Sequence, residues 1–113
     1  MPKEILLSTV RTLVEQLAKG DYDRLISGCV QSRLASEDLR QVIQSYGRKL
    51  VAPPINAYQQ LDAVQIKGAD VPSWSVRVPV WTEEEGRSDL TLELTIALSS
   101  EGLRVELDDL HVL

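Results

Sequence analysis

Trp74-Ser75-Val76-Arg77-Val78-Pro79-Val80-Trp81, then Thr82-Glu83-Glu84-Glu85-Gly86-Arg87-Ser88-Asp89, then Leu90-Thr91-Leu92-Glu93-Leu94-Thr95-Ile96-Ala97-Leu98: this stretch decides the fold. Both arms alternate apolar with polar or small residues, the period of a strand with one dry face. A three-residue loop, Glu84-Glu85-Gly86 with Gly86 left-handed, pairs Val80 with Leu90, Val78 with Leu92, Val76 with Leu94 and Trp74 with Ile96. The same register sets Arg77 against Glu93 and Ser75 against Thr95 on the other face. A two- or four-residue loop would set dry positions against wet ones. Pro79 cannot give an amide to a central ladder, so its strand is an edge there or bulges locally.

Downstream, Ser99-Ser100-Glu101-Gly102 turns the chain into a last strand from Leu103 to Leu113. Pairing Leu98 with Leu103 places Ile96 against Val105 and Leu94 against Leu107. A straight continuation would then turn Asp109 and His111 inward. One extra residue at Asp108-Asp109 restores dry pairing, Leu92 with Leu110 and Leu90 with Val112, and this β-bulge is the expected geometry.

Upstream, Leu6, Val10, Leu13, Val14 and Leu17 fall on one helical face, and Gly20 stops that helix. Asp21 caps a second helix whose buried side is Tyr22, Leu25, Ile26, Cys29 and Val30. Ser36, followed by Glu37 and Asp38, caps a third helix with the stripe Leu39, Val42, Ile43 and Tyr46, closed by Gly47. Arg48 to Val51 suits a short strand, Pro53-Pro54 forces a loop, and Leu61 to Lys67 reads as a strand ended by Gly68. The fold class is therefore α+β: one domain, 1–113, with three N-terminal helices packed on one face of a curved antiparallel sheet of about four strands.

A chain of 113 residues with a net charge of −5 is a poor ligand for nucleic acid or an anionic membrane, which demand clustered Lys and Arg. One cysteine, Cys29, excludes an internal disulfide framework and suits a reducing compartment. The opening Met-Pro-Lys-Glu-Ile-Leu-Leu-Ser has no basic region followed by a long apolar run, so a cytoplasmic location is expected.

Chemistry-bearing residues are few. His111 with Asp108 or Asp109 is the pair that resembles an acid/base site, since a carboxylate can orient an imidazole that moves a proton near neutral pH. The bulge turns that histidine to the outer face; a straight strand would bring Asp109 and His111 inside together. Glu83, Glu84 and Glu85, with Asp89, present oxygens suited to a hard cation but lack the spaced ligands of a calcium loop, so no metal is expected. The run reads as a solvated tip or a surface for a basic partner. Trp81 faces outward by parity and, with Glu83 to Glu85, forms the candidate binding patch, whereas Trp74 belongs to the core. Cys29 reads as a small core residue rather than a nucleophile. Tyr22, Tyr46 and Tyr58 are amphipathic enough to line a cavity mouth. No phosphate-binding glycine loop or nucleophile elbow occurs, and no cofactor is expected.

Three helices, a proline-broken connection and a curved meander ending in Val105-Glu106-Leu107-Asp108-Asp109-Leu110-His111-Val112-Leu113 resemble the NTF2-like group, a cone-shaped α+β fold related in outline to cystatins. Residues 74–92 look like small bacterial proteins of an uncharacterised domain family. Catalytic members of the group, ketosteroid isomerase-like and dehydratase-like enzymes among them, place an acid or histidine inside the cone. The inward residues here are Trp, Val, Leu and Ile, so no catalytic residue is carried over. The expectation is a non-catalytic binding or interaction module, dimeric through the exposed sheet face or edge. The alternatives are a small-molecule pocket protein or enzyme using Asp109 and His111, and an immunity-like or regulatory protein that binds a basic partner through Glu83 to Glu85.

Overall fold

The computed structural model describes residues 3–113; Met1 and Pro2, which open the stretch read for a leader and for the domain start, lie outside the described residues. Helix α1 (Lys3–Lys19) buries Leu6, Val10, Leu13, Val14 and Leu17, the stripe its sequence spacing sets. It ends in a Schellman turn: Gly20 is left-handed, its N–H meets Leu17 O at 3.2 Å, and the Asp21 N–H meets Gln16 O at 2.9 Å. Helix α2 is shorter than its expected stripe, running from Tyr22 to Ser27 with Leu25 its buried residue. Cys29 and Val30 lie beyond it, because the Val30 N–H turns away to bond Val105 O and start strand β1 (Gln31–Ser32). Helix α3 (Ser36–Tyr46) starts at Ser36 rather than being capped by it: the Asp38 carboxylate reaches back to the Ala35 N–H at 2.8 Å. Gly47 closes it in the left-handed region.

The remaining strands are β2 (Leu50–Val51), β3 (Asp62–Gln65), β4 (Ser73–Thr82), β5 (Gly86–Ser99) and β6 (Gly102–Val112), with a 3-10 turn at Ile55–Gln60. The order is β1-β6-β5-β4-β2, and β3 also pairs with β4. The sheet thus has six strands rather than about four, and it is mixed, since β1 runs parallel to β6. Both two-residue strands form by long-range pairing: β2 falls within the short strand read at Arg48 to Val51, and β1 was not expected.

Between β5 and β6 every expected pair is present, including Leu94 with Leu107 and Leu92 with Leu110, and Asp108 is the inserted residue. Val112, expected on the dry side, is exposed at the end of the sheet. Between β4 and β5 the pairs from Trp74–Ile96 to Val78–Leu92 are as read. The tip differs. Thr82 pairs with Gly86, so the three-residue loop is Glu83-Glu84-Glu85, one residue earlier than expected, and Trp81 faces Arg87. Val80 consequently lies against three residues, Ser88 to Leu90, instead of pairing with Leu90. Ser88 compensates for the lost ladder: its hydroxyl donates to Val80 O at 2.7 Å and accepts the Leu90 N–H at 3.2 Å. The α1 stripe then meets Val76, Val78, Leu92, Leu94, Ile96 and Leu107 in one apolar layer.

Candidate functional site

Proline chemistry opens a gap in the sheet. On one flank of β4, β3 pairs with residues Trp74 to Arg77 and β2 with Trp81 and Thr82, which leaves Val78 to Val80 without a neighbouring strand. Ser73 O accepts the Ile66 N–H on this flank and the Glu83 N–H donates to Lys49 O, so alternation directs the backbone groups of Pro79 to the same side. Pro79 has no hydrogen to offer a ladder there. Pro53 and Pro54 carry the chain away from β2, and the 3-10 turn arches over the gap before β3 begins.

The result is a cavity of about 360 Å³ whose wall includes Pro53, Ala57, Tyr58, Pro79, Trp81 and Arg87. Trp81, singled out by its outward parity, is half-buried, and its ring lies so close over Gly86 that a Cβ there would meet Cζ3 at 3.5 Å. Arg87 is its exposed cross-strand partner and has no carboxylate within ion-pair reach among the described residues. Tyr58 is 4% exposed, and its hydroxyl has no hydrogen-bond partner among the described residues. Burial, assisted by the charge of Glu15 and opposed by Arg11, pushes that hydroxyl up to about 12. Sequence reasoning missed Arg87 because its loop was one residue out of place. Tyr58 showed only amphipathic character.

The bulge turns His111 to the outer face. Its Nε2 lies 3.0 Å from Glu93 Oε2 and its Nδ1 4.0 Å from Asp109 Oδ2, while Glu93 Oε1 pairs with Arg77 Nε at 3.1 Å. Asp109 also accepts the Leu110 N–H at 2.8 Å, and Asp108 accepts the Thr95 hydroxyl at 2.6 Å. One ligand atom each from Glu93, Asp109 and His111 lies within 4.8 Å of the other two, so the trio could hold a divalent cation by rotation of the side chains. An open groove of about 770 Å³ between α3 and β6 touches His111, together with Leu34, Val42, Tyr46 and Leu110. Neither Glu93 nor Asp109 lines it, so the flanked imidazole and the groove do not form one pocket.

The acidic tip is tied inward. Glu85 accepts the Tyr46 hydroxyl at 2.8 Å and the Thr82 hydroxyl at 3.0 Å, Glu84 accepts the Lys49 N–H at 3.1 Å, and Glu83 pairs with Lys49 Nζ at 3.8 Å. These bonds fix the hairpin end against α3 and β2. Burial, then Glu85, raises the Tyr46 hydroxyl above its ordinary value.

A family model described as a domain of unknown function, DUF7668, matches residues 14–113, which takes in every strand and the last third of α1. The chain belongs to that family. No curated protein and no solved structure matches it. Among the described residues, no helix is long and apolar enough to cross a membrane.

Proposed function

We propose that this DUF7668 protein is a non-catalytic binding module and that its binding site is the cavity at the β4 gap. The observation that carries this reading is the conjunction of an indole, two prolines and an unpaired guanidinium around one space of ligand size. The layer between helices and sheet supports the non-catalytic part. Among the described residues the buried polar side chains are Ser73, Thr82, Ser88 and Thr91, of which Thr82 and Ser88 share the inner face, and none titrates near neutral pH. The NTF2-like likeness belongs to the same proposal and rests on the order of helices and meander. A reducing, cytoplasmic setting is supported by Cys29, a half-buried thiol raised by burial and bonded to Leu25 O.

A neutral aromatic probe, benzyl alcohol, tests the site. Titrated into the isotope-labelled chain, it is expected to move the Trp81 indole N–H and the amides flanking Pro79, and Trp81→Ala to abolish the response in a folded protein. A response confined to the α3–β6 groove, or none either to this probe or to its carboxylate counterpart phenylacetate, would sink the proposal.

A further inference from the structure

We infer that the cavity takes a small carboxylic acid with an apolar, aromatic body, its carboxylate on Arg87 and its ring against Trp81 and Pro79. This rests on the preceding reading of the cavity as the binding site and adds the class of ligand.

Size comes first. A volume of about 360 Å³ equals about a dozen waters at ~30 Å³ each, room for a molecule of the size of phenylacetate rather than a nucleotide or a folded partner. The wall is the second constraint. Pro53, Pro79 and Trp81 offer flat or rigid apolar surfaces, which favour a planar body that stacks without ordering flexible side chains.

Charge is the third constraint, and it selects the sign. Arg87 is the charged residue of the lining, no carboxylate shares the wall, and no acid pairs with Arg87 among the described residues. This contrasts with Arg77, two strand positions before Pro79, which is held by Glu93. In a chain of net charge −5, an unneutralised guanidinium beside an indole makes a local positive site that repels amines and attracts anions. Arg87 and Asn56 are the exposed residues of the wall and the rest is buried or half-buried, so the ligand lies with its charged end at the rim and its body inward.

The experiment compares three probes of one size against the intact chain by calorimetry and Trp81 chemical shift: phenylacetate, benzyl alcohol and phenethylamine. Phenylacetate is expected to bind about tenfold or more tighter than the other two, because a charge-assisted bond to a guanidinium adds that much. Arg87→Gln, an exposed substitution that leaves the fold intact, is expected to erase the preference and to retain benzyl alcohol binding. Arg77→Gln is expected to leave the preference in place. Equal binding of acid and alcohol, or a preference that survives Arg87→Gln, overturns the ligand class while leaving the cavity as a site. Failure of all three probes overturns the site and the class together.

Discussion

Tyr58 is a stored liability. Its ring fills the space between α1 and the 3-10 turn, yet its hydroxyl is buried without a partner. Leaving such a group unsatisfied costs ~1–3 kcal/mol, so Tyr58→Phe is expected to stabilise the ligand-free chain by about 1 kcal/mol in urea denaturation. The sign of the pH effect follows from the shift. The folded hydroxyl titrates at about 12 against an ordinary 10.0, so its contribution is complete below pH 10.0 and is lost as pH rises to 12. On the order of 2 kcal/mol of stability should disappear across that window in the native chain and persist in Tyr58→Phe. Ser88 is the opposite case. Its hydroxyl serves Val80 O and the Leu90 N–H at once, so Ser88→Ala orphans two buried backbone groups. A loss of ~1–3 kcal/mol by the same measurement is expected, and a neutral result would mean that the β5 irregularity relaxes into a ladder without it.

At the level of elements, the two irregularities in the sheet explain what could and could not be read from the chain. Asp108 is a single inserted residue, and one residue exchanges the faces of everything after it. The alternation in Asp109-Leu110-His111 therefore betrays it. The irregularity at Ser88 to Leu90 adds two residues against Val80, and an even number leaves dry and wet positions unchanged, so no trace of it survives in the pattern. That is why Trp81 was legible as an outward residue while Arg87, its true cross-strand partner, was not. Strand β1 and the position of the 3-10 turn depend on contacts with distant segments, which local alternation cannot encode. A deletion pair tests the parity argument. Removing Asp108 alone keeps Leu92 opposite Leu110 and is expected to cost no more than about 1 kcal/mol, the worth of its bond to Thr95. Removing Asp108 and Asp109 together turns Leu110 outward and His111 inward and is expected to cost several kcal/mol in thermal or urea melts. Equal stability of the two deletions would contradict the register.

Across the whole molecule, one apolar layer holds α1 to the sheet, and Leu94 sits at its centre. It is fully buried, with Val76 on one neighbouring strand and Leu107 on the other. No second core exists among the described residues to survive its loss, since α1, Tyr58, α3 and the long strands all contribute to the same cluster. A carboxylate placed there has no cation within the layer. Its burial costs several kcal/mol, on the scale of the ~5–15 kcal/mol by which a domain of this size is stable. Leu94→Asp is therefore expected to lose the cooperative melt and the dispersed proton spectrum. Its neighbour Glu93 makes the comparison sharp. One residue earlier on the same strand, Glu93 points to the outer face, where its partners Arg77 and His111 are about half-exposed and keep the pairs partly in solvent. Such pairs contribute ~0–1 kcal/mol, so Glu93→Ala should melt close to the native protein. A folded Leu94→Asp would mean that the faces of the central hairpin are assigned the wrong way round. The layer, the outward imidazole and the position of Trp81 at the cavity all follow from that one assignment, so they would fall with it.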